Sequence, residues 1–175
     1  MKKHFIAVIF ASVLFSPMAL AEGAFGGLSY NQVRIDDIDT GNLGIVLGNV
    51  TESGFGYELN YSFSIIEDKE DDNGVEIKAS TDIVGLFLTY ETPGDFYVKG
   101  KLGYSFVRLK FDALEQGSAS DTVDGFSYGL AGGVKIGQGS VELTYYRFAD
   151  LENFDGIDVD DTKVEMLNLS YLFSF

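Results

Sequence analysis

Among the residue types that commonly carry out catalysis, this chain of 175 residues has many carboxylates but almost no histidine and no cysteine. It contains 27 acidic residues, 12 Lys and Arg, one histidine, His4, and no cysteine. The lack of cysteine excludes a disulfide scaffold, a thiolate zinc site and a lipid anchor on an N-terminal cysteine. Carboxylates remain, but among 27 of them some pair will always resemble a catalytic pair. Such a pair alone therefore predicts no activity.

The histidine lies in a segment that has the three parts of a secretory signal peptide. Residues 2–4 are basic, residues 5–15 form an apolar run, and Ala19 and Ala21 are small residues at the cleavage-site positions. The apolar run is too short for a membrane-spanning helix, which needs ~20 residues. We predict cleavage after Ala21, which removes His4.

The remaining segment, residues 22–175, is predicted to be one domain with neither histidine nor cysteine. A Ser-His-Asp triad, a Cys-His pair and a histidine metal site are then excluded. The segment has a formal charge of 10 − 27 = −17, which repels nucleic acid. We therefore expect a protein that is not an enzyme, with no cofactor, no bound metal and no nucleic-acid partner.

Two strongly acidic runs, residues 67–72 and 155–161, allow two interpretations. Carboxylate oxygens suit Ca²⁺ and Mg²⁺, so the runs could bind divalent cations. Neither run matches the twelve-residue calcium loop, because the glycine and the closing glutamate are misplaced. Blocks of like charge are usually solvated surface, and this interpretation is favoured.

The elements that must position these residues are β-strands, because apolar and polar residues alternate with period two along most of the chain. In residues 54–65 the six bulky apolar residues fall on one face and small or polar residues on the other. The same pattern predicts eight strands. They are residues 25–33, 42–48, 54–65, 77–90, 96–106, 125–136, 141–146 and 166–175.

The connections between these strands alternate in length. Short turns follow the second, fourth and sixth strands, and longer connections are predicted at residues 34–41, 66–76, 112–124 and 150–162. An even number of strands with alternating short and long connections is typical of an up-and-down barrel. We predict an all-β, eight-stranded antiparallel transmembrane barrel with both chain ends at the short-turn end.

The two faces of the strands differ in size. One face is bulky and aromatic, whereas the other is small and carries the charged residues Glu58, Lys99, Lys101, Lys135 and Glu142. The interior of an eight-stranded barrel is just wide enough for side chains, so the small face is predicted to point inward. The bulky face would then contact lipid. The alternative is a soluble barrel with the aromatic residues inside.

The five charged residues of the small face are predicted to form an ion network that plugs the lumen. Lys135 and Glu142 flank a turn, so they would lie opposite each other or diagonally, depending on which two residues form the loop. Burying these charges unpaired would be costly. The alternative is that they line a water-filled pore.

The C-terminal residues resemble the closing signal of bacterial outer-membrane barrels. Asn168, Phe173 and Phe175 match that signal, and Ser170 stands where the pattern has glycine. From this signal and the alternating segments, the chain resembles the small eight-stranded barrel family that includes the OmpA membrane domain, OmpX and Ail. The enzymes among related barrels use a catalytic histidine, which the predicted mature chain lacks.

The resemblance implies a non-enzymatic protein of the Gram-negative outer membrane, exported through the periplasm. Its expected role is structural, with presentation of acidic extracellular loops for adhesion or another surface interaction. A narrow porin-like channel for ions or small solutes is the alternative. We expect a monomer whose partners are the barrel assembly machinery, outer-membrane lipid and a host or environmental surface ligand. Arg108 and Arg147 are candidate lipopolysaccharide contacts, with simple snorkelling as the alternative.

Overall fold

The computed structural model describes residues 23–35, 38–66, 68–72, 75–113, 117–148, 151–154 and 157–175. The predicted signal peptide lies outside these residues. Every regular element in them is a β-strand. Among these residues there is no helix long and apolar enough to span a membrane. The strands are β1 Ala24–Ile35, β2 Ile38–Val50, β3 Phe55–Ile66, β4 Asp68–Asp72, β5 Val75–Glu91, β6 Phe96–Ala113, β7 Gly117–Ile136, β8 Gly139–Arg147, β9 Leu151–Phe154, β10 Ile157–Thr162 and β11 Val164–Ser174.

Eight of these strands close into a ring. The hydrogen-bonded order is β3-β2-β1-β11-β8-β7-β6-β5, and β5 pairs with β3 to complete it. All pairs are antiparallel. Of the other three strands, β4 pairs with β5, and β9 pairs with β10. The prediction of a closed, eight-stranded up-and-down barrel is confirmed.

The barrel closes where the first and last strands meet. Strand β1 pairs with β11 from Phe25 opposite Ser174 to Ile35 opposite Val164. The backbone N–H of Phe175 donates to the carbonyl of Ala24 at 3.0 Å, so both strand ends lie at the short-turn end.

The outside of the ring is apolar. All eight ring strands expose large apolar or aromatic side chains, and the most exposed include Leu28 at 71%, Leu88 at 74% and Phe96 at 82%. On β6 the outward positions run from Phe96 to Phe106, ten residues along a tilted strand, which is a height of ~25 Å. We call this belt the apolar band. Soluble monomers rarely expose an apolar surface of this extent.

The predicted long connections are wrong in their boundaries, because the strands continue through most of them. Arg34 pairs with Asp39 inside the first. β4 lies within the second, and β9 and β10 lie within the fourth. In the third, β6 and β7 remain paired as far as Ala113 and Gly117. Beyond Phe106, β6 thus continues for roughly 20 Å past the apolar band.

The inward face, which was predicted to be small, also holds large aromatic rings. Phe87, Tyr97 and Tyr146 are buried inside the ring. A glycine on the neighbouring strand makes room for each ring: a Cβ on Gly133 would lie 2.3 Å from the Tyr97 ring, and one on Gly129 would lie 2.9 Å from the Tyr146 ring. These glycines allow an eight-stranded barrel to hold rings as well as small residues.

Candidate functional site

The candidate functional site is the centre of the lumen, where side chains from different strands meet. Glu58 lies on β3, Lys99 and Lys101 on β6, and Glu142 on β8, and all four are at most 2% exposed. Strand β7 separates the lysines from Glu142. Its inward residues there are Gly129, Ala131 and Gly133, and these small residues leave the charged side chains room to meet.

Two lysines and two glutamates form a closed cycle of alternating charge. Lys101 Nζ lies 2.7 Å from Glu58 Oε2 and 2.7 Å from Glu142 Oε1. Lys99 Nζ lies 3.3 Å from Glu58 Oε1 and 2.8 Å from Glu142 Oε2. This buried quartet has two positive and two negative charges, so it is neutral. Each charge contacts two charges of opposite sign, and none is buried unpaired.

A second ion pair lies towards the short-turn end. Lys135 Nζ lies 2.6 Å from Glu91 Oε1, and Glu91 also approaches Lys99 at 3.3 Å. Gly137 and Gln138 form the hairpin loop, so Lys135 is opposite Ser140 and diagonal to Glu142. Lys135 is nevertheless paired with Glu91, which sequence reasoning missed because the predicted strand ended one residue earlier. We call these three lysines and three glutamates the ionic layer.

Hydroxyl groups make further hydrogen bonds with the ionic layer. The Tyr97 hydroxyl donates to Glu142 Oε2 at 3.0 Å, and the Thr144 hydroxyl donates to Glu142 Oε1 at 3.0 Å. Lys101 donates to the Tyr146 hydroxyl at 3.0 Å. The aromatic rings also lie within reach of the ammonium groups, with Lys99 Nζ 5.3 Å from the centroid of Tyr97.

An apolar layer lies beside the ionic layer, towards the long-connection end. It consists of buried residues on five strands, together with Phe148, which directly follows β8: Val33, Ile35, Ile83, Phe87, Val107, Leu109, Tyr146, Phe148, Val164 and Met166. Tyr146 joins the two layers, since its hydroxyl binds Lys101 and its ring packs 5.2 Å from Phe87 and 5.9 Å from Phe148. The sequence pattern did not indicate this layer.

Two small, separate cavities lie inside the barrel. One of about 190 Å³ opens at the short-turn end and reaches the ionic layer at Glu91 and Lys99. Another, bordered by Asn60 and Ser62, has only about 10 Å³, which is the space for one water molecule. The buried side chains of the ionic layer and the apolar layer occupy the centre of the barrel.

The two arginines expected at the outer rim differ in their surroundings. Arg147 Nη1 lies 3.0 Å from Glu165 Oε1, whereas Arg108 is exposed and lies opposite Asp82 on β5. Arg34, which sequence reasoning did not select, lies on the same rim and binds Asp39 through two nitrogens at 3.0 and 3.3 Å.

The four residues of the C-terminal signal divide between the two faces of β11. Asn168 and Ser170 are buried in the lumen, where Asn168 donates to the Asn31 side chain. Phe173 and Phe175 are exposed on the outside, with ring centroids 5.8 Å apart.

Deleting Phe175 or changing it to Asp is expected to lower the yield of folded barrel. Phe175 closes the seam through its backbone N–H, and its ring covers the site of Gly26 on β1. Heat-modifiable migration on a gel measures the folded fraction, and unchanged migration and yield would contradict an assembly role. Changing Ser174, its exposed neighbour and the last residue of β11, to Ala provides the matched control.

A metal site at the acidic runs stays an untested interpretation. Glu67 and residues 155–156 lie outside the described residues, and the side chains of the remaining residues in both runs do too. In the part of the chain that is described, no group of three or more acidic residues is arranged to hold a metal ion.

Comparison with known proteins identifies the fold. No protein-family model matches the sequence, and no curated protein matches it. The chain is similar to solved structures of small outer-membrane barrels. Ail of Yersinia pestis, in complex with the heparin analogue sucrose octasulfate, superposes with a TM-score of 0.59 at 15% identity over 89% of this chain and 100% of that one.

Two further structures have the same architecture. The N-terminal β-barrel domain of Pseudomonas aeruginosa OprF gives a TM-score of 0.61 at 10% identity, covering 88% of this chain and 98% of that one. Neisserial surface protein A gives 0.60 at 10% identity, covering 87% and 96%. At these identities the likeness concerns the fold: the chain has the fold of the small eight-stranded outer-membrane barrels.

Proposed function

We propose that this protein is a non-enzymatic integral barrel of the Gram-negative outer membrane. In this role it is a rigid, non-conducting anchor that presents its acidic outer segments at the cell surface. The observation that carries the proposal is the apolar band, which surrounds the whole ring while the charged residues lie in the lumen. This is the reverse of a soluble barrel, and lipid is the solvent that makes it stable.

The closed lumen supports an anchor rather than a channel. The ionic layer and the apolar layer fill the centre of the barrel in series, and the cavity beside the apolar layer has room for about one water molecule. An ion crossing the barrel would have to displace paired charges and then enter apolar surroundings, which is costly. These features argue against the porin-like alternative.

The outer segments support a surface role. Strands β5, β6 and β7 continue as a paired sheet beyond the apolar band. Ail was solved with a sulfated heparin analogue. We propose a different type of partner for this chain, because residues 22–175 carry a formal charge of −17 and would repel a polyanion.

Fractionation of a Gram-negative host that expresses the full chain tests the proposal. We expect the protein in the outer-membrane fraction, resistant to urea extraction and showing heat-modifiable migration. Recovery as a soluble periplasmic protein would contradict it. Protease added to intact cells should cleave the chain on the long-connection side of the apolar band without releasing the barrel.

A further inference from the structure

We propose that Arg108 binds a phosphate group of an outer-leaflet lipid, and that Arg147 does not. The proposal rests on the proposed function, because it requires the barrel to lie in the outer membrane. It also distinguishes two arginines that the sequence analysis selected as equivalent candidates. The two differ in whether a carboxylate already forms an ion pair with the guanidinium group.

The position of Arg108 suits a headgroup. On the outward face of β6, Tyr104 and Phe106 are exposed at the upper edge of the apolar band, and Arg108 and Lys110 follow them. A cation two residues beyond the last aromatic ring lies where the apolar chains end and the polar headgroups begin. The lipids of the outer leaflet carry phosphates at that level.

The guanidinium of Arg108 is available because its neighbouring carboxylates are engaged elsewhere. Asp82 is its direct partner in the β5–β6 register, but Asp82 Oδ2 lies 2.5 Å from Lys110 Nζ. Asp124, on the adjacent strand β7, accepts a hydrogen bond from the Tyr104 hydroxyl. Among the residues that the structure describes, none forms a hydrogen bond or an ion pair with the Arg108 side chain.

The other two arginines of the rim are already paired. Arg147 contacts Glu165 at 3.0 Å, and the guanidinium of Arg34 holds Asp39 through two hydrogen bonds. A phosphate would have to compete with these carboxylates. A free guanidinium presents its planar fork of donors to two phosphate oxygens at once.

Lys110 strengthens the site through its charge. It lies on the same face of β6 as Arg108, and its ion pair with Asp82 neutralises the nearest negative charge. Asp82, Asp124, Arg108 and Lys110 together carry no net charge, whereas the whole chain is strongly negative. Because Lys110 offsets Asp82, an anion that approaches Arg108 meets less repulsion than it would beside an unpaired carboxylate.

The test compares variants of the folded full-length mature barrel in phosphatidylcholine nanodiscs that contain diphosphoryl lipid A. Native mass spectrometry counts the lipid A molecules retained at increasing mole fractions. We expect Arg108→Gln to weaken retention about tenfold, as for loss of a charge-assisted contact. Arg147→Gln, the matched control, should stay within about twofold because that arginine is occupied by Glu165.

Further measurements identify the chemical group that Arg108 binds. Dephosphorylated lipid A should abolish the difference between wild type and Arg108→Gln, and high salt should reduce it. Arg108→Lys should retain part of the binding, because the charge remains and the bidentate fork is lost.

The proposal is overturned if Arg108→Gln binds diphosphoryl lipid A as wild type does, if Arg147→Gln loses as much, or if the difference persists without lipid phosphates. Displacement of lipid A by inorganic phosphate would overturn the assignment to lipid. Failure of all variants to fold in the discs would instead contradict the proposed function.

Discussion

Replacing Glu142 with alanine is expected to destabilise the folded barrel by about 3–5 kcal/mol, the usual cost of removing one partner from a buried ion pair. Glu142 contacts both Lys99 and Lys101, and it also accepts the hydroxyls of Tyr97 and Thr144. Without it, the lumen would hold three lysines and two glutamates. Equilibrium unfolding in urea, with the barrel in lipid vesicles, measures the change in the free energy of unfolding.

Two controls separate the buried charge from charge in general. Glu165→Ala removes an acid from the outer rim, where the ion pair with Arg147 is part-exposed, and should cost only about 0–1 kcal/mol. Adding Lys101→Met to Glu142→Ala restores the balance of charge and should recover part of the loss. A cost below about 1 kcal/mol for Glu142→Ala would contradict a desolvated ionic layer.

Replacing Leu102 with arginine is expected to destabilise the barrel in lipid by about 2–4 kcal/mol, because the side chain would place a charge near the bilayer midplane. Leu102 is 58% exposed and lies near the middle of the apolar band on β6. The same unfolding measurement in vesicles reports the change. Leu102→Ala, which removes the side chain without adding a charge, should cost less. A neutral Leu102→Arg would mean that this face does not contact lipid.

Much of the fold can be predicted from the sequence because a barrel strand has one bulky and one small face. Period-two alternation located all eight ring strands and placed Glu58, Lys99, Lys101 and Glu142 on the inner face. Alternation depends only on neighbouring residues along one strand, so it can be detected without knowing which strands pair with each other.

The strand ends could not be predicted in the same way. Beyond the apolar band, residues 117–125 of β7 include two Gly, two Asp and one Ala, which have low strand propensity, yet they pair with β6 throughout. Glu91 was missed for a related reason. It is the last residue of β5, directly before the Thr92-Pro93-Gly94 turn, and its role depends on Lys99 opposite it on β6.

The contents of the lumen depended on contacts between strands. Period-two alternation places Tyr97 and Tyr146 on the same face as Lys99 and Glu142, but whether a ring fits there depends on which residue of the next strand lies beside it. Gly133 and Gly129 occupy those positions. The difference between Arg108 and Arg147 likewise depends on Glu165 and Lys110, which the register brings into range. A single sequence contains no register between distant strands.

Electrical recording from the purified barrel in planar lipid bilayers tests the central claim most directly. The account predicts a barrel that inserts into the bilayer, as heat-modifiable migration of the recovered protein would show, and gives no stable open conductance. The absence of conductance is expected because two layers of side chains, the ionic layer around Glu142 and the apolar layer around Phe87, block the lumen. Large and long-lived conductance steps from wild-type protein would contradict the closed lumen and favour a channel.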